Sequence, residues 1–149
     1  PRTSATLHLW VVGEGDPSRI RASTTFTRID FFGRRADAER FYAAANIFVL
    51  PSMYEAAPLV SYEAAASGLP IVATRVGGVD ELVGDDQACG LLVERSPEAV
   101  GAAIAWLAEN SEVRRAMGAE GRRRASIFTW ERSAAAVASL YRELLQEVA

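Results

Sequence analysis

Two glutamates eight residues apart, Glu55 and Glu63, bracket what reads as the start of a helix. The stretch is Tyr54-Glu55-Ala56-Ala57-Pro58-Leu59-Val60-Ser61-Tyr62-Glu63, with Pro58 at the first helical position, where its missing N–H costs nothing. A helix start carries unpartnered N–H groups and the positive end of the dipole, which together suit a phosphate. Leu59 and Val60 can each offer such an N–H, whereas Pro58 cannot. A carboxylate is a poor phosphate ligand but a good acceptor for sugar hydroxyls, and its two oxygens can take two neighbouring hydroxyls together. The ligand this arrangement suits is a phosphate bonded to sugars. Helix physics alone leaves a second reading open, in which Glu55 only complements the dipole and Glu63 is a solvated helix residue.

These residues need a frame, and strand–helix alternation supplies it. Leu7–Val12 is an apolar run that reads as a strand buried on both faces, closed by Gly13-Glu14-Gly15. Asp16-Pro17-Ser18 starts a short helix through Arg21. Ile29–Gly33 is a second strand, Asp37 caps an amphipathic segment through Ala45, and Asn46–Leu50 is a third strand stopped by Pro51-Ser52. A helix over Pro58–Ser67 ends at Gly68 and is followed by a strand at Leu69–Ala73. A short helix around Val79–Val83 and a strand at Gly90–Val93 complete the alternation.

From Ser96 the pattern is helical only. Ser96-Pro97-Glu98 opens one helix, Ser111 caps a second that runs to about Ser126, and a third starts at Trp130. Its stripe of Val137, Leu140, Tyr141, Leu144 and Val148 predicts packing on the sheet or on a neighbouring domain. The class expected is α/β: a Rossmann-like open parallel sheet flanked by helices, with an all-helical C-terminal segment. In such sheets ligands bind beyond the C-terminal ends of the strands. Gly13-Glu14-Gly15, Gly33-Arg34-Arg35, Ser52–Pro58 and Thr74–Gly78 fall on that edge.

Composition narrows the chemistry. The 149 residues amount to one domain, and shares of 50% hydrophobic and 23% charged residues are those of an ordinary globular protein. A net charge of −3 argues against nucleic acid as a partner. All 16 basic residues are Arg, so no lysine can act as Schiff base or phosphate ligand. Cys89 is the single cysteine; no disulfide can form within the chain, which suits a reducing compartment. With one His and one Cys distant in sequence, no metal-site spacing exists. Ser52 and Ser61 lack a neighbouring His base, His8 reads as a satisfied core residue, and Arg122-Arg123-Arg124 as a solvated helix face. No apolar run approaches ~18 residues, and the first residues show no signal-peptide pattern. The start at Pro1-Arg2, without Met, predicts a piece of something longer.

Glu55–Glu63, the following Ala64–Thr74 and Gly77-Gly78 together resemble the signature of family 4 (group 1) retaining glycosyltransferases. Val11–Gly15, Ile29–Gly33, Ala45–Ser52 and Phe128–Glu131 match the same family in order. The resemblance implies the GT-B fold, two Rossmann-like domains facing a cleft, with this chain as part of the C-terminal, donor-binding domain. It implies transfer of a hexose from a nucleoside-diphosphate sugar, which is a substrate rather than a cofactor. Glu55 is similar to the first glutamate of the family motif, a catalytic position that contacts the donor sugar near the reacting centre. Glu63 matches the second, which accepts hydrogen bonds from the ribose hydroxyls. Ala57, Pro58, Leu59 and Val60 match the segment lining the sugar and diphosphate, with Pro58 replacing a glycine of the commoner pattern. Gly33 and Arg34 fall in the region flanking the nucleobase, where Arg34 or Arg35 could stack on a base, reach a phosphate or face solvent.

The family draws an Arg and a Lys from a segment ahead of Leu7 to neutralise the leaving diphosphate, and that segment also carries a strand that normally lies mid-sheet. Neither is in this chain, nor is the acceptor domain, so the resemblance implies an enzyme of which the chain is a part and a fragment inactive by itself. The acceptor (glycan, lipid or small molecule) would be held by that other domain. The expected location is cytoplasmic, with a peripheral place at the inner membrane face open for the longer enzyme. Two other functions stay open on the sequence: a nucleotide-sugar epimerase of similar fold, and a non-catalytic Rossmann-like binding module.

Overall fold

The computed structural model describes residues 3–24 and 26–147. Strands and helices alternate through the first two thirds: β1 (Leu9–Val12), α1 (Ser18–Ser23), β2 (Ile29–Gly33), α2 (Ala38–Ala44), β3 (Phe48–Leu50), α3 (Leu59–Ala66), β4 (Ile71–Thr74), α4 (Val79–Val83) and β5 (Gly90–Val93). Three helices follow without a strand: α5 (Pro97–Glu109), α6 (Ser111–Ala125) and α7 (Trp130–Glu147). All strand pairings are parallel, as α/β alternation requires, because a parallel partner can be reached only through a crossover. The class is the expected one, but the strands form two sheets rather than one. β1 pairs with β2, and a separate sheet has the order β3-β4-β5.

The core lies around β4. All four of its residues are buried, and the strand separates two apolar clusters. Ile71 and Ala73 face Ala64 and Ala65 of α3 and Val79, Leu82 and Val83 of α4. Val72 faces Ala103 and Leu107 of α5. Helix α6 lies across α3, and Gly118 allows the approach: a Cβ there would run into the carbonyl of Gly68. Arg122 then donates to the free carbonyls at the end of α3, Ala66 at 3.2 Å and Ser67 at 3.0 Å. Arg124 donates to the Val83 carbonyl at the end of α4 and pairs with Asp86 at 2.6 Å and Glu120 at 2.7 Å. Arg122 and Arg124 thus cap the ends of other helices, whereas Arg123 is the solvated residue its composition suggests, paired with Glu120 at 2.7 Å.

Several local expectations are corrected. The first strand begins at Leu9 rather than Leu7, and both its end residues are exposed, because among the described residues only β2 flanks it. His8 is exposed and its Nε2 lies 2.8 Å from an Asp30 carboxylate oxygen. Asp37 sits at the start of α2 without capping it; its carboxylate is taken by Arg35 in a two-bond pair, at 2.9 Å each. Asn110, not Ser111, occupies the cap of α6, with no side-chain cap bond. Ser96 does cap α5, accepting from the Ala99 N–H at 3.1 Å. On α7 the stripe remains exposed, Val137, Leu140, Tyr141 and Leu144 included; Val148 lies outside the described residues. Among the described residues no helix is long and apolar enough to cross a membrane.

Candidate functional site

Helix α3 starts at Leu59, one residue after the position the sequence predicts. Pro58 is its N-cap, buried and extended at ψ 100°, and turns the chain from the β3 loop into the helix. The Ser61 N–H bonds back to the Pro58 carbonyl at 2.9 Å. Leu59 and Val60 come before any intrahelical acceptor, and no side chain caps them. Among the described residues their two N–H groups have no hydrogen-bond partner, and both residues are exposed. The start of α3 therefore offers two adjacent free donors at the positive end of an eight-residue helix. Ser61, one residue on, is fully buried, and its Oγ has no partner among the described residues.

The two carboxylates are held differently. Glu63 is exposed on α3, and its Oε2 accepts from the Tyr42 hydroxyl at 2.9 Å. Its Oε1 has no protein partner among the described residues. Glu55 is half-buried in the loop after β3, and its Oε1 accepts from the Ser52 hydroxyl at 2.9 Å. The Ser52 carbonyl in turn accepts from the Thr74 hydroxyl at 2.5 Å, tying the loop to the end of the central strand. Tyr62 steadies the other flank by donating to the Gly78 carbonyl at 2.6 Å, with its ring edge-on to Phe128. Gly78 has φ +78° and lies so close to the loop that a Cβ would stand 3.0 Å from the Ala57 Cα. Ala57 is itself exposed, so the segment from Glu55 to Val60 is braced from behind and open in front.

Gly33 and Arg34 sit at the C-terminal end of the other sheet. Gly33 closes β2, and its carbonyl accepts from the Gly13 N–H at 2.9 Å. Arg34 pairs with Glu14 at 3.3 Å, and both side chains are largely exposed. Arg35 is committed to Asp37 and lies over the Phe41 ring at 5.7 Å. Phe32 and Phe41 meet edge-on at 4.8 Å with Trp10 against both, lining a shallow cleft of about 220 Å³ together with Arg35 and Arg40. Among the described residues no hydrogen bond joins Gly33 or Arg34 to the group around α3. Of the residues singled out from sequence, the structure brings together Glu55, Ala57, Pro58, Leu59, Val60 and Glu63 on one loop and helix start. Gly33 and Arg34 stand on a different sheet.

Sequence reasoning did not foresee the bonds made by Tyr42, Ser52 and Tyr62. Ser52 carried a local signal, a hydroxyl three residues before Glu55. Tyr42 carried none, since its partner is 21 residues away. Among the described residues no group of three His, Cys, Asp or Glu side chains could hold a metal ion.

A parallel α/β frame of this kind has known relatives. The family model for glycosyl transferases group 1 matches residues 1–110, and the chain belongs to that family. The D-inositol 3-phosphate glycosyltransferase of Corynebacterium glutamicum (strain R) is 40% identical over 121 residues, which cover 79% of this chain and 29% of that protein. The MMP alpha-(1->4)-mannosyltransferase of Mycolicibacterium hassiacum is 38% identical over 109 residues, 72% of this chain and 26% of the relative. Among solved structures, the sucrose-phosphate synthase of Thermosynechococcus elongatus superimposes with a TM-score of 0.81 at 34% identity, over 94% of this chain and 39% of that one. The chain thus corresponds to between about a quarter and two fifths of the length of these relatives. The fold is that of a GT-B glycosyltransferase domain.

Proposed function

We propose that this chain forms the donor site of a retaining hexosyltransferase, as part of a C-terminal GT-B domain. The observation that carries the reading is the start of α3: two free amides at Leu59 and Val60, and one turn on, a carboxylate with one unpartnered oxygen. The amides hold the diphosphate, where the helix dipole offsets its charge. Glu63 accepts from the ribose hydroxyls, and Glu55 meets the sugar near its reacting carbon. Pro58 shapes the turn but gives no hydrogen bond, so the diphosphate depends on the two amides after it. Gly33 and Arg34 border the nucleobase.

In the reaction the bond from the sugar's anomeric carbon to the diphosphate oxygen breaks, and a bond to an acceptor oxygen forms on the same face. The acceptor hydroxyl passes its proton to the departing diphosphate oxygen, and the diphosphate leaves on the α3 amides. The nucleotide-sugar is a substrate, and no cofactor enters the step. A hexose fits the names of relatives that transfer glycosyl or mannosyl groups or make sucrose phosphate. The acceptor, a glycan, lipid or small molecule, is bound outside the residues described here.

Calorimetric titration of the complete protein with UDP, GDP and ADP tests the assignment. Glu63→Ala should weaken the preferred nucleotide by ~1.5–3 kcal/mol, the scale of a hydrogen bond to a charged group, or roughly 10- to 150-fold in Kd. Unchanged affinity rejects it.

A further inference from the structure

We infer that Tyr42 is a positioning residue for nucleoside recognition, its hydroxyl holding one oxygen of Glu63 so that the other is presented to the ribose. The inference rests on the ribose assignment of Glu63 above. Glu63 lies exposed on α3, and an exposed glutamate has three freely rotating bonds to order before it can grip a ligand. Tyr42 comes from a different helix and is half-buried, its ring edge-on to Phe48 of β3 at 6.1 Å. Its hydroxyl meets Oε2 of Glu63 at 2.9 Å, the one hydrogen bond that the carboxylate makes among the described residues. Burial, and then the carboxylate itself, hold the phenol well above its ordinary titration range, so the hydroxyl stays a donor.

The division of labour follows from valence. A carboxylate oxygen engaged by a phenol still leaves the second oxygen's lone pairs free, and a ribose presents two adjacent hydroxyl donors. With Oε2 fixed, Oε1 keeps one orientation in the free protein, and the ordering cost is met on folding rather than on binding. The competing reading is that the bond only ties α2 to α3. That role would change stability without telling one sugar from another.

The test is therefore a discrimination ratio, measured on the complete protein. Kd is determined for UDP, GDP and ADP and for their 2′,3′-dideoxy counterparts, with the tightest-binding base carried forward. In Tyr42→Phe the ribonucleotide should bind roughly 3- to 10-fold more weakly, the scale of one side chain left to be ordered, with the dideoxy form unchanged. In a Glu63→Gln background the same change should add no further loss of discrimination. Should Tyr42→Phe fail to fold, Phe48→Leu, which loosens the ring and keeps the hydroxyl, should lower the ratio in the same direction. A wild-type protein that discriminates, with Tyr42→Phe discriminating equally, overturns the role of Tyr42 and leaves that of Glu63 standing. A wild-type protein that binds both sugars alike overturns the ribose assignment, and this inference with it.

Discussion

The two sheets are built from equally apolar strands and end up differently. Leu9-Trp10-Val11-Val12 is as hydrophobic as Ile71-Val72-Ala73-Thr74, yet every residue of the second is buried and none of the first is. Indeed, no described residue ahead of Pro58 is fully buried. The cause is position. β4 has a strand on each side and a helical layer on each face, whereas β1 has one strand neighbour. Burial belongs to the topology and not to the strand. The consequence reaches the site, because the α3 amides and Glu55 are braced by the well-packed sheet, whereas Gly33 and Arg34 stand on the open one.

The comparison breaks most visibly if core truncations cost the same in both halves. Ile71→Ala should destabilise by about 2–5 kcal/mol, as fully buried aliphatic deletions do, while Leu9→Ala should cost well below that, since Leu9 is already 42% exposed. Chemical denaturation of the two variants gives both numbers, and equal losses would mean that the two sheets share one core. Gly78→Ala comes next. A Cβ at φ +78° and 3.0 Å from Ala57 should cost about 1–3 kcal/mol and displace the Glu55–Pro58 loop, so nucleotide affinity should fall with melting temperature.

A smaller effect separates the halves by pH. Hydrogen bonds from Arg123 and then Arg124 hold the Glu120 carboxyl down to about 2, below its ordinary value of 4.5. A carboxyl lowered on folding stabilises fully above the unfolded value and loses that contribution as pH falls through the folded one. The packed half should therefore soften between about pH 4.5 and about 2, and Glu120→Gln should flatten the slope of melting temperature against pH in that window. Asp86, lowered by the same Arg124, leaves a residual slope. Smallest of all, Arg34→Ala should leave stability within about ±0.5 kcal/mol, because its pair with Glu14 is open to solvent. Any loss of nucleotide affinity in that variant then reports a contact.

Local signals were legible and distant ones were not. Pro58 and Gly68 bracket α3 to within a residue or two, and Gly33, Val79–Val83 and Gly90–Val93 stand at the expected positions. Each depends on backbone chemistry within one turn. The residues of the candidate site that the fold keeps together, Glu55 through Glu63, are likewise contiguous. Ser111 and Asp37 failed as caps for different reasons: Asn110 occupies the cap position ahead of Ser111, and Arg35 takes the Asp37 carboxylate. Arg122 and Arg124 read as solvent-facing since the carbonyls they cap lie 56 and 41 residues away. Tyr42 is the same kind of miss, its partner Glu63 lying 21 residues away. The break between the sheets was hidden too, because an apolar run does not say how many neighbours it has.

The most direct measurement is the amide NMR spectrum of the complete protein, labelled at leucine and valine nitrogens and titrated with its preferred nucleoside diphosphate. The account predicts that the Leu59 and Val60 resonances shift downfield and saturate with the binding isotherm, as free donors gaining a charged acceptor do. Saturable binding that leaves both resonances in place would contradict it.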